Sequence, residues 1–165
     1  MPPRSKSLDA RAAKRVAYDL LSRKPWSRRD LTARLCRRGA PLEVAQAVVA
    51  DLEAQGYVDD RAFAWQWAEG RASRRNLGSL RLKSELGQKG VPRPLAAAAI
   101  RDAFGDASED ERALEAARRR LPALRRKNAE RAPARLRDYL LRRGYPADVV
   151  GRVLRRLLRI DEPEG

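Results

Sequence analysis

A leucine, a second leucine four residues on, a glycine four further and a proline two beyond it recur three times in this chain. The copies are Leu31/Leu35/Gly39/Pro41, Leu82/Leu86/Gly90/Pro92 and Leu136/Leu140/Gly144/Pro146. Their glycines stand 51 and 54 residues apart. Repetition at this period belongs to a stacked array rather than to one closed globule. The pattern also states its own local structure. Leucines four apart share a helix face. Glycine takes the left-handed conformation that ends a helix, and proline suits the first position of the next, where no N–H is needed.

The register around the pattern agrees between copies. Five residues after each glycine comes Val44, Leu95 or Val149, and ten after comes Val49, Ile100 or Leu154. A helix from about Asp9 to Ser22, with Val16, Ala17, Leu20 and Leu21 on one side, precedes the first copy. Ser27 reads as the cap of the next helix, with Asp30 close to a capping box and Trp26 and Leu31 at staple spacing. Val44, Val48, Val49 and Leu52 serve a third helix, which Gly56 closes. In the second copy Asp60 reads as the cap of a helix carrying Phe63, Ala64, Trp67 and Ala68 inward. Trp65 falls off that face, as an inter-repeat contact or exposed anchor. Leu77 to Lys89 forms the middle helix, and Leu95, Ala99 and Ile100 face inward on the next. Ser108 and Glu111 form a capping box ahead of Leu114, Ala117 and Leu121. The expectation is an all-α chain of three tandem three-helix repeats over residues 9–58, 59–107 and 108–160, forming an elongated array. A flexible arm at 1–8 and an acidic tail at 161–165 flank them. About 50 residues make only a marginal core, so stacking supplies part of the stability.

Charge narrows the function classes. The 165 residues carry 37 Lys and Arg against 22 Asp and Glu, a net +15. Residues 1–60 are net +4, residues 61–110 net +3 and residues 111–160 net +11, while the last five residues are net −3. Such an excess points to a polyanionic partner, and to the last repeat as its main contact. Arg forks pair bidentately with phosphates and carboxylates, so nucleic acid and an acidic protein groove both qualify. The residue before each repeat glycine is basic: Arg38, Lys89 or Arg143. It serves either as a dipole complement at a helix end or as one rung of a contact ladder.

Catalytic chemistry finds little to stand on. The chain has no His, and its single Cys36 permits neither an internal disulfide nor the usual zinc site. A buried thiol in a reducing compartment fits it. There is no Gly-rich phosphate loop. Asp59 and Asp60, with Glu69, could hold a metal as in a nuclease, but carboxylates at a helix start are routine. No apolar run at the N-terminus reads as a signal, and none approaches the roughly 18 residues of a membrane span. A soluble cytoplasmic monomer without cofactors, and not an enzyme, is expected.

The stretch GYVDDRAFAWQWAEGRASRRNLGSLRLKSELGQKGV resembles the RecX regulatory proteins of bacterial recombination. The matching elements are Gly56 to Asp60, Phe63-Ala64, Arg71, Gly78, Leu82, Leu86 and Lys89-Gly90-Val91, with Leu31, Leu35 and Gly39 upstream. The resemblance is weaker in the last repeat. It implies a curved, all-helical crescent that lies in the groove of the RecA–DNA filament and inhibits strand exchange, ATP hydrolysis and coprotease activity. The candidate basic face for that docking comprises Arg37 and Arg38 in the first repeat and Arg71, Arg74, Arg75, Lys83 and Lys89 in the second. The third repeat adds Arg118, Arg119, Arg120, Arg125, Arg126, Arg142 and Arg143. The alternative reading is a sequence-independent DNA-binding module that acts without RecA, through helix-turn-helix-like pairs at the three glycines.

Overall fold

The computed structural model describes residues 7–160, the side chain of Ile160 excepted; most of the 1–8 arm and the whole 161–165 tail lie outside the described residues. Among these residues the chain forms nine α-helices and no strand. They are α1 (Ala10–Arg23), α2 (Arg28–Arg37), α3 (Leu42–Ala54), α4 (Asp60–Arg75), α5 (Ser79–Gln88), α6 (Arg93–Phe104), α7 (Glu109–Lys127), α8 (Ala132–Arg142) and α9 (Ala147–Ile160). The described chain forms two compact units, Met1–Ala64 with Leu86–Leu95, and Trp65–Glu85 with Ala96–Gly165. The division passes through α4, α5 and α6, so the middle trio contributes to both.

In the first unit α1, α2 and α3 pack together around Ala13, Ala17, Leu20, Leu31, Leu35, Val48, Val49 and Leu52. Trp26 and Val44 pack on the edge of that core, and the Trp26 indole donates to the Leu20 carbonyl at 3.2 Å. In the second unit α7, α8 and α9 enclose Leu114, Ala117, Leu136, Leu140, Val149, Val150 and Val153. Both leucines of each repeat pattern are fully buried. The three pattern glycines have φ of 101°, 80° and 88°, the left-handed conformation that releases the chain from the middle helix.

The prolines sit one residue earlier than expected. Pro41 is the N-cap of α3, with ψ 147°, and its carbonyl already accepts from Ala45 N–H at 2.9 Å. Pro92 and Pro146 likewise precede α6 and α9. The left-handed glycine hands on an extended chain, so helical dihedrals start only after the proline. The start of α5 also differs from expectation. Leu77 is buried ahead of the helix rather than inside it.

The cap of α4 is Asp59, whose Oδ1 accepts from Ala62 N–H at 3.0 Å, rather than the expected Asp60. Asp60 turns to a different helix and accepts the Arg28 N–H at the start of α2, at 2.8 Å. The second unit repeats this device. Glu109, the first residue of α7, accepts the Ser79 N–H at 2.7 Å and the Ser79 hydroxyl at 2.9 Å at the start of α5. An acidic residue opening the first helix of one trio thus caps the middle helix of the preceding trio.

Candidate polyanion interface

The second unit carries a cleft that brings together four of the fourteen expected basic residues, Arg71, Arg75, Arg142 and Arg143. Gly78 and Gly144 meet there so closely that a Cβ on Gly78 would lie 2.5 Å from the Gly144 carbonyl. This contact lets the end of α8 complete the start of α5. Gly78 N–H donates to the Arg143 carbonyl at 2.7 Å and Leu80 N–H to the Gly144 carbonyl at 3.0 Å. Tyr145, almost wholly buried, donates its hydroxyl to the Asn76 carbonyl at 2.8 Å, with Asn76 itself left-handed at φ 50°. Burial pushes that phenol up to about 12, so it stays a neutral donor at physiological pH.

Around this junction Arg71, Arg75, Leu77, Arg81, Tyr139, Arg142 and Arg143 line a cleft of about 310 Å³. The lining includes no acidic side chain. Three of its guanidinium groups are anchored. Arg81 donates Nη1 to the Arg142 carbonyl at 3.2 Å and pairs through Nε with Glu85 at 3.3 Å. Arg143 donates Nη1 to the Arg75 carbonyl at 2.5 Å and stacks on Tyr139 at 5.1 Å. Arg71 lies 4.3 Å over the Trp67 ring and 3.7 Å from Glu85. Arg75 and Arg142 have no acidic partner among the described residues. Arg120 approaches the Tyr139 ring at 5.5 Å, extending the positive track.

Trp67 is therefore not the core residue its spacing suggests. It is half-buried, with Nε1 donating to Glu85 at 3.0 Å. Trp65 is half-buried too and donates to Asp102 on α6 at 2.8 Å.

The other candidates lie elsewhere. Arg118 and Arg119 line a second groove with Arg112 and Arg156, but Glu111 and Glu115 share it and Glu115 pairs with Arg119 at 2.6 Å. Arg74, Arg125 and Arg126 are exposed in the last turns of α4 and α7, and Lys83 is exposed in the middle of α5. In the first unit Arg37 and Arg38 are exposed at the end of α2, and Lys89 pairs with Asp30 at 2.7 Å. Of the three residues that precede pattern glycines, Lys89 and Arg143 thus serve the helix junctions.

Arg81 and Tyr139 belong to the cleft but were absent from the expected face. The repeat register carries a signal for Arg81. It is the third residue of α5, as Asp30 is of α2. Asp30 meets Lys89, whereas the matching pair in the second unit is Arg81 and Arg143, two cations. An arginine stands where the first trio has an acid, and the cleft keeps its positive charge. On α9, by contrast, Arg152 is neutralised by Asp110 at 2.7 Å and Asp148 at 3.0 Å. The Arg152 guanidinium holds both carboxyls below the usual range. Among the described residues no group of three or more His, Cys, Asp or Glu could hold a metal ion, and no helix is long and apolar enough to cross a membrane. The arrangement is suited to binding anions.

Comparison with known proteins agrees with the helical trios. Residues 59–100 match a family model described as RecX, second three-helix domain, and residues 108–154 match RecX, third three-helix domain. The chain is 38% identical over 152 residues to a regulatory protein RecX of Thermobifida fusca, covering 92% of this chain and 82% of the relative. It is 35% identical over 164 residues to that of Streptomyces coelicolor, covering 99% and 84%. A crystal structure of RecX from Lactobacillus salivarius shares the fold, with a TM-score of 0.74 over 92% of this chain and 97% of that one, at 16% identity. This chain belongs to the RecX family of regulatory proteins.

Proposed function

We propose that this chain regulates a RecA recombinase without catalysing a reaction of its own. It docks on the RecA–DNA filament through the arginine-lined face of its second unit and inhibits strand exchange, ATP hydrolysis and coprotease activity. Family membership supports the regulatory role. The single observation that carries the docking mode is the cleft of five arginines with no acid in its lining. The net +11 of residues 111–160 adds to it. A polyanion brought to this face exchanges its counterions for guanidinium contacts, and the bound regulator obstructs filament growth and partner strands.

Equilibrium binding to a RecA filament and to the same DNA without RecA tests the reading. The expected result is tighter binding to the filament at physiological salt. Equal affinity for both would overturn it in favour of a DNA-binding module that acts alone. Such a module with six to ten phosphate contacts loses roughly 10³–10⁵ in affinity between about 50 and 200 mM salt.

A further inference from the structure

We propose that Arg75 and Arg142, at the mouth of the arginine cleft, form a receptor for a nucleic-acid phosphodiester. The inference rests on the filament-docking reading and sharpens it: the cleft grips the DNA strand rather than the recombinase.

The division of labour among the arginines carries the argument. Arg71 and Arg81 are held by Glu85, at 3.7 and 3.3 Å. Glu85 is itself fixed by the Trp67 indole, and its side chain is only 16% exposed. Arg143 is held by the Arg75 carbonyl. These three supply a fixed positive field. Arg75 and Arg142 line the same cleft with head groups that no acid engages among the described residues, so their donors remain for a ligand. Their backbone carbonyls, which would repel an anion, are already covered by Arg143 and Arg81.

A phosphodiester strand fits this arrangement better than a protein carboxylate. One carboxylate neutralises one of the cleft's five cations. A nucleic-acid strand presents one charge per nucleotide and goes on to meet neighbouring cations. The cleft has such a continuation, because Tyr139 stands between Arg143 at 5.1 Å and Arg120 at 5.5 Å.

The test is anisotropy of a labelled single-stranded homopolymer across a salt series, with the full chain and no recombinase. Arg75→Gln/Arg142→Gln is expected to weaken binding about tenfold at low salt. It should flatten the log–log salt slope by about 1.4, or 0.7 for each of two lost phosphate contacts. Arg11→Gln/Arg15→Gln, on the exposed side of α1, is expected to keep the original slope. A cleft variant with the original slope would overturn the proposal. If that variant also lost filament association, the cleft would take acidic protein side chains, and filament docking would stand. Conversely, a flattened slope in a protein that does not prefer the filament to bare DNA would uphold the cleft and defeat the docking reading.

Discussion

At the scale of residues, the pattern glycines are not equivalent, although the sequence writes them alike. A Cβ on Gly144 would fall 2.2 Å from the Arg81 Cβ and 2.4 Å from the Arg81 backbone nitrogen, whereas one on Gly39 meets nothing within 4 Å. Gly39→Ala should therefore lose only about 1 kcal/mol for its left-handed backbone. Gly144→Ala should lose an additional amount of about 1–3 kcal/mol from overpacking against α5. Urea midpoints at unchanged slope measure both losses, and equal losses would remove the close approach as the reason for Gly144. Glu85 gives a prediction of sign. Glu85→Gln raises the positive charge of the cleft, and charge alone would tighten oligonucleotide binding. If Glu85 acts by orienting Arg71 and Arg81, the variant binds more weakly in the same anisotropy titration. Tighter binding would reduce Glu85 to a mere counter-charge.

At the scale of elements, the trios are joined by caps that cross between helices. Ser79 is buried, so removing its partner in Glu109→Ala leaves a buried N–H and hydroxyl unsatisfied and should destabilise by about 1–3 kcal/mol. Asp60→Ala removes the equivalent cap from the exposed Arg28 N–H and should lose less, about 0.5–1 kcal/mol. Thermal midpoints of the two variants decide this, and the reverse order would refute the shared capping scheme. The α7–α9 link adds a pH dependence. Arg152 lowers the pKa values of Asp110 and Asp148 in the folded chain from 3.8. The stabilisation is thus complete above about pH 4 and is lost as pH falls through the depressed folded values. Arg152→Ala should flatten the fall in melting temperature between about pH 4 and 2, and parallel curves for variant and parent would show that these pairs contribute nothing.

These caps also mark where the sequence is legible and where it stops being so. Helix order, the buried leucines, the Ser108–Glu111 box and the left-handed glycines follow from local spacing, because each depends on neighbours within one turn. The role of Asp60 depends on a residue 32 positions away, and that of Trp67 on a carboxylate 18 positions away. Single-segment periodicity cannot carry either. The cleft was legible in part. Arg71, Arg75, Arg142 and Arg143 were visible as basic clusters, but their meeting across α4, α5 and α8 was not. Arg81 carries a signal only in the repeat register, where the third residue of the middle helix is Asp30 in the first trio and an arginine in the second.

At the scale of the whole molecule, uneven charge lies on a repeated scaffold. The trios share capping chemistry, glycine exits and leucine cores, yet residues 111–160 carry most of the net charge. Some of the arginines in that segment are nevertheless paired, Arg119 with Glu115, and Arg152 with Asp148 and with Asp110 from just outside it. Net charge alone is therefore a poor guide to the binding face. Arg118, Arg119 and Arg120 form one run in the sequence, but Arg118 and Arg119 line the acid-containing groove and Arg120 joins the Tyr139 track. Reversal of Arg120 to Glu should accordingly weaken filament binding more than reversal of Arg119, as measured by co-sedimentation with the filament. Equal effects would show that run charge, rather than placement, sets affinity. The central claim is that the chain restrains the recombinase by occupying its filament, and RecA-driven strand exchange with increasing amounts of this protein measures that most directly. The account predicts inhibition at substoichiometric ratios, weakened in Arg75→Gln/Arg142→Gln; undiminished strand exchange at every ratio would contradict it.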